Sequence, residues 1–127
     1  MSGNDLLDTN IIIYHLSGLL PDNAQKTVNE MLFFDLPLSI ITKIELMGFK
    51  FDNSLQKEKT VQFLNNVNFI SVSNQIADNA IFLRQNYKLK TPDAIIAATA
   101  IVYDFTLVSR NDKDFIDIKE LKYLNPF

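Results

Sequence analysis

The chain has 127 residues, with 12 basic and 15 acidic side chains, a formal net charge of -3, 47% hydrophobic and 21% charged residues; that is enough for one domain burying roughly two thirds of the surface its unfolded form exposes. The absence of cysteine excludes disulfide scaffolds, thiolate zinc sites and cysteine nucleophiles, and with His15 as the only imidazole a histidine zinc cluster is excluded as well. An isoelectric point near 5.0 argues against gripping nucleic acid through a broad basic face, since counterion release needs clustered Lys and Arg, but leaves nucleic acid open as a substrate.

Met1 to Asp8 carries two Asp and no positive region ahead of an apolar stretch, unlike a targeting segment, and the expected compartment is the cytoplasm. Leu6 and Leu7 form a short apolar strand ending in Asp8. Thr9–Leu16 is apolar enough for a buried helix or a continuing strand, and the capping residues Asp8, Thr9 and Asn10 favour the helix. Asn23–Phe34 reads as an amphipathic helix with Val28, Met31 and Leu32 on one face. Pro37–Ile40 reads as a short strand, with helices over Thr42–Phe51 and Gln56–Leu64.

Phe69–Val72 is a β-branched and aromatic strand stopped by Ser73, whose hydroxyl suits the N-cap of a helix running through Gln85. Thr91-Pro92 opens another helix, and Ala94–Tyr103 after it is apolar on nearly every side. That run is well short of the about 20 residues a membrane span needs. Its small side chains predict close packing against a sheet. Thr106–Ser109 follows as a strand, Arg110–Asp114 as a polar turn and Leu121–Phe127 as an edge strand. No repeat or linker divides residues 1–127, and strands separated by helices predict an α/β three-layer sandwich with a central, largely parallel sheet flanked by helices.

In such sheets ligands bind beyond the carboxyl ends of the strands. Asp8, Glu45, Asp93 and either Asp112 or Asp114 fall at boundaries of that kind. Each also has a structural reading. Asp8 can cap its helix, Glu45 can close a capping box over Thr42-Lys43-Ile44-Glu45, Asp93 can complement a helix dipole, and Asp112 and Asp114 can be solvated turn residues. Taken together they point elsewhere: carboxylates converging on one crevice raise each other's pKa unless a cation neutralises them, and Mg²⁺ or Mn²⁺ is the oxygen-seeking partner for that role.

The segments LLDTNIIIYHL, SIITKIEL, TPDAIIAATA, LVSRNDKDF and YLNPF, in this order and over nearly the whole length, resemble the PIN-domain ribonucleases, and within them the VapC-type toxins of toxin-antitoxin pairs. The resemblance implies a metal-dependent endoribonuclease with Asp8, Glu45, Asp93 and Asp114 as its catalytic metal ligands. Asp112 is held as the alternative fourth acid, because the family pattern T-R-N-x-x-D-F aligns Asn111 and Asp114. Ser109 replaces the usual Thr and keeps its hydroxyl. Thr9, Asn10, Ser109 and Asn111 are expected to support the carboxylates or bound waters, although capping and turn roles explain Thr9, Asn10 and Ser109 equally well.

The implied chemistry is hydrolysis of RNA phosphodiesters with Mg²⁺ or Mn²⁺, leaving a 5′-phosphate and a 3′-hydroxyl, without a histidine general acid. Arg110, Lys43, Lys88 and Lys90 are candidates for RNA phosphate contacts, against the plain alternative of surface cations. The resemblance also implies a homodimer and a small antitoxin protein that blocks the pocket, and no membrane partner. Phe33, Phe34, Phe49, Phe51 and Phe82 are candidates for those protein contacts, with core packing as the default reading. Two other functions remain open: a PIN-like binding or dimerisation module with weak catalysis, and a haloacid-dehalogenase-type phosphatase. The phosphatase signature requires a second Asp where this chain has Asn10.

Overall fold

The computed structural model describes residues 4–33, 35–48 and 50–127. Strands β1 (Asp5–Leu7), β2 (Leu36–Ser39), β3 (Val67–Ile70), β4 (Thr106–Val108) and β5 (Lys122–Leu124) alternate with helices. The helices are α1 (Thr9–Leu16), α2 (Asp22–Met31), α3 (Ile40–Met47), α4 (Ser54–Leu64), α5 (Asn74–Asn86), α6 (Thr91–Tyr103) and the short α7 (Asp112–Phe115). Every ladder is parallel: β1, β4 and β5 pair in that order, β2 pairs with β3, and β2 lies beside β1. The chain therefore builds outward from β1 in one direction and returns to add β4 and β5 on its other side. That reversal is the switch point at which α/β sheets leave a crevice.

Two apolar cores, one on each face, explain why the sheet is parallel and covered on both sides. Alternate residues of a strand point to opposite faces. Leu6 of β1 and Leu107 of β4 accordingly enter one core with Ile76, Leu83, Ile96 and Phe115, while Leu7 and Val108 enter the other with Ile11, Ile12, Leu38 and Leu46. The expected α/β sandwich with helices on both faces is the observed architecture. Helix α6 lies deepest, with Ala94, Ile96, Ala97, Ala98 and Ala100 fully buried, as its small residues predict.

Several boundaries differ from the sequence reading. The β2 strand ends at Ser39, whose Oγ accepts from Ile41 N at 3.1 Å, so α3 starts at Ile40 and not at Thr42. The capping box over Thr42–Glu45 does not form, and Glu45 stands inside the helix. Helix α6 is capped at Lys90, which puts Thr91 inside the first turn and Pro92 where a missing N–H costs nothing. The turn after β4 winds into α7, and β3 stops at Ile70, leaving Ser71 and Val72 outside it. Ser73 is the expected cap of α5, accepting from Ile76 N at 3.1 Å. Leu121–Phe127 does supply an edge strand, β5. At the end of α6 the left-handed turn falls on Asp104, with φ 57°.

Phe115 is fully buried in the α6-side core and is the anchor that fixes α7 against the sheet. Phe115→Ala is expected to cost about 3–5 kcal/mol, the usual range for emptying a buried phenyl site. Urea unfolding should register this as a lower midpoint with little change in slope.

Candidate active site

The register of β1 and β4 pairs Leu7 with Val108, so the next residues, Asp8 and Ser109, meet just past the strand ends. Asp8 N donates to Val108 O at 2.8 Å, which continues the ladder by one step and turns the Asp8 side chain into the start of α1. Both side chains are buried. Asp8 Oδ1 accepts from Thr9 N at 2.8 Å, so the helix-capping role is real. Asp8 Oδ2 accepts from Ser109 Oγ at 2.8 Å and from Asn10 Nδ2 at 3.2 Å, which fixes the carboxylate plane from two sides. One residue therefore caps a helix and presents an oriented carboxylate to the crevice.

Helix α3 supplies the second acid. Thr42 and Glu45, three residues apart, share a helix face. The Thr9 hydroxyl donates to Glu45 Oε1 at 2.7 Å and lies 3.1 Å from the Thr42 hydroxyl. Thr9 thus connects the first turn of α1 to α3. Asp93 is the third residue of α6, in the turn where a negative charge meets the helix dipole favourably. Asp114 sits in α7, where Asn111 Nδ2 donates to its Oδ2 at 2.7 Å; Asn111 N in turn donates to Ser109 Oγ at 3.0 Å.

Electrostatics tie these four groups together. Burial pushes the Asp93 carboxyl up to about 6, and the negative charges of Asp8, Asp114 and Glu45 add to the rise, while Lys90 opposes it. Asp8 is also raised, chiefly by burial; the bonds from Ser109 and Thr9 oppose the rise, and the charges of Glu45 and Asp114 reinforce it. Asp112 is not among the charges acting on either group. Its Oδ1 accepts instead from the Tyr123 hydroxyl and from Asn125 Nδ2, the latter at 3.1 Å. The Tyr123 hydroxyl is also 3.0 Å from the Ser109 carbonyl oxygen. Asp112 is therefore engaged on the β5 side, while the charge of Asp114 acts on Asp8 and Asp93.

The donor set suits a hard divalent cation, being all oxygen and short of positive charge. Among the described residues no group of three or more acidic or histidine side chains is gathered closely enough to hold a metal ion. Mg²⁺ sites in general bind one or two carboxylates directly and complete the shell with waters and substrate phosphates. His15 takes no part: its Nδ1 is 2.9 Å from Gln25 Nε2, its ring lies 6.0 Å from that of Phe63, and burial lowers its pKa.

The cationic residues divide. Arg110 follows Ser109 directly, and its N–H donates to Asn10 Oδ1 at 3.3 Å. Lys90 stands at the N-cap of α6 and acts on Asp93. Lys43 lies over the Phe69 ring, 5.1 Å from its centroid, and Lys88 is exposed. Sequence reasoning passed over Thr42, Tyr14, Tyr123 and Asn125 as parts of this network. Only Thr42, three residues before Glu45, carried a usable signal, and it had been read as a cap.

The PIN domain family matches residues 6–121. No curated protein matches the sequence. In structure the chain is similar to a chain of a toxin-antitoxin complex from Klebsiella pneumoniae, with 36% identity and a TM-score of 0.78 over 97% of this chain and 98% of that one. It is also similar to a chain of VapBC-1 from nontypeable Haemophilus influenzae, with 27% identity and a TM-score of 0.74 over 95% and 96% of the two chains. VapBC2 from Rickettsia felis, crystallised with a promoter DNA fragment, shares the fold at 24% identity and a TM-score of 0.79 over 95% and 97%. With a family match spanning nearly all of its strands and helices, the chain belongs to the PIN-domain family and, within it, is similar to VapC-type toxins.

Proposed function

We propose that this chain is a Mg²⁺- or Mn²⁺-dependent endoribonuclease acting as the toxin of a toxin-antitoxin pair. The observation that carries the reading is that the negative charges of Asp8, Glu45 and Asp114 act on Asp93, and those of Glu45 and Asp114 on Asp8, at the switch point of a PIN fold. A fold alone does not establish activity. Here the support is two carboxylates, Asp8 and Asp93, whose ionised forms are disfavoured by burial and by neighbouring negative charge, a penalty that a divalent cation would relieve.

Asp8, Glu45, Asp93 and Asp114 would hold the metal, which when bound supplies Lewis acidity toward water and the phosphate. Ser109 and Asn10 keep Asp8 Oδ2 in one orientation, and Thr9 does the same for Glu45. Asn111 holds Asp114. These bonds fix acceptor directions before substrate arrives, the condition for electrostatic preorganisation.

The relatives' association with antitoxins supports a similar partner here. A groove of about 330 Å³ with Ile13, Leu16, Leu46, Phe51 and Leu55 among its lining residues is suited to an apolar segment of such a protein. Exposed Phe33 and Phe82 are further candidates for antitoxin or homodimer contacts. Phe34 and Phe49 lie outside the described residues. Among the described residues no helix is long and apolar enough to cross a membrane.

Purified, antitoxin-free protein should cut a structured RNA with Mg²⁺ or Mn²⁺ and stop in EDTA. Asp8→Asn and Asp93→Asn are each expected to lower the rate by at least about 100-fold, and cutting unchanged in EDTA or in both variants would defeat the proposal. Asp114→Asn should lose activity to a similar degree, whereas Asp112→Asn should retain most of it; the reverse order would reassign the fourth acid.

The raised Asp93 pKa sets the sign of a second test. Its ionised form is disfavoured in the folded protein, so the native state gives up stability as pH rises from about 4 to about 6, and the loss is complete above the folded pKa. In EDTA at pH 7.5, Asp93→Asn should therefore melt above wild type, by about 1 kcal/mol after allowing for solvent screening of a half-exposed group, or roughly 4 °C. The advantage should fade toward pH 4. Addition of Mn²⁺ should raise the wild-type melting temperature more than that of the variant; equal shifts would place the ion elsewhere.

A further inference from the structure

Arg110 is an exposed cation that directly follows Ser109, the hydrogen-bond partner of Asp8, yet among the described residues it pairs with none of the carboxylates. Among the described residues the ion pair present is Lys122–Asp104, which does not involve it. The Arg110 guanidinium carbon lies 4.3 Å from the Phe127 ring centroid and 5.4 Å from that of Tyr14, and Nη1 donates to the Tyr14 hydroxyl at 3.1 Å. The two rings meet edge to face at 5.4 Å. Phe127 is itself tethered, its N–H donating to Asn125 Oδ1 at 3.0 Å, while Asn125 Nδ2 reaches Asp112. On its backbone side Arg110 is tied to Asn10, which donates to Asp8.

Such a guanidinium lies against two rings and spends one N–H on the Tyr14 hydroxyl, with its other donors making no side-chain hydrogen bond or ion pair among those found in the described residues. Aromatic rings take the faces through cation–π contact, and the N–H donors lie in the plane, where a phosphate can take two of them at once. Held in place before binding, the side chain loses less rotamer freedom when it captures an anion. A cation serving to neutralise the pocket would sit against Asp8 or Asp114. Among the described residues Arg110 forms no such pair and instead engages a hydroxyl and two rings, which leaves its charge for a ligand from outside.

We infer that Tyr14 and Phe127 are positioning residues that hold Arg110 as a clamp for a backbone phosphate of RNA beside the carboxylate pocket. The inference rests on the nuclease reading for the identity of its ligand. It also assigns a purpose to the Asp112–Asn125–Phe127 chain of hydrogen bonds: Asp112 acts on the site through the clamp and not as a ligand.

The test uses the full chain carrying Asp8→Asn, so that the RNA stays intact, and a fluorescein-labelled single-stranded RNA oligonucleotide titrated by anisotropy at several KCl concentrations. Arg110→Ala should weaken binding about three- to tenfold and flatten the plot of log affinity against log salt by about 0.7, the signature of one lost phosphate contact on a single strand. Arg110→Lys should not restore it, because an ammonium does not present the planar fork. Phe127→Leu should weaken binding in the same way and Phe127→Tyr should not, with both melting near the parent. In the Arg110→Ala background, Phe127→Leu should add no further loss.

Additive losses in that double variant, or an Arg110→Ala protein with unchanged affinity and salt slope, overturn the clamp. Metal-dependent cutting by the chain with native Asp8 is measured in parallel. Cutting without the Arg110 effect removes the clamp and spares the nuclease; clamp-dependent binding without cutting does the opposite; neither binding nor cutting removes both.

Discussion

The buried carboxylate of Asp8 is the point on which the rest of the site depends. Removing a carboxylate from water is costly unless hydrogen bonds replace its hydration, and three donors do so here: Thr9 N, Ser109 Oγ and Asn10 Nδ2. Each comes from a different structural commitment. Thr9 N exists as a free donor because α1 begins there; Ser109 is delivered by the parallel pairing of β4 with β1; Asn10 lies one residue further into the helix. The support extends outward from these donors, through Thr9 to Glu45 on α3 and through Ser109 to Asn111 and Asp114 on α7.

That arrangement sets stability against function in one place. The cores on either side of the sheet stabilise the chain, while Asp8 and Asp93 at the strand and helix ends work against it, chiefly through burial and further through the negative charges of their neighbours. Lys90 relieves Asp93 only in part. Ion pairing within the fold does not account for the perturbed carboxyls of Asp8 and Asp93, since burial acts first on both and the charges acting on them are mostly of their own sign.

Much of this was readable from the residues. Asp8 after two leucines, Asp93 after Thr91-Pro92, and the buried alanine-rich helix follow from local rules whose scale is a single turn or strand. The capping box offered as the structural alternative for Glu45 does not form, because Thr42 presents the same local pattern as Ser39 and only the end of the β2 ladder decides between them. Asp112 and Asp114 differ by two positions in one short helix, so their separation depends on which side Tyr123 and Asn125 occupy, a matter of β5 packing. The clamp around Arg110 was invisible for the same reason: Tyr14 and Phe127 are brought together by tertiary structure across almost the entire chain.

The alternation in β1 has a consequence for folding fidelity. Leu6 and Leu7 face different cores, and Asp8 follows at once, so the strand has no slack. A shift of one residue against β4 would exchange the two leucines between faces and carry Asp8 away from Ser109 together. No misaligned version of this sheet can keep one core intact while losing only the site. Errors in assembly are thereby expressed as instability, and a chain that holds its shape holds its carboxylates in register as well.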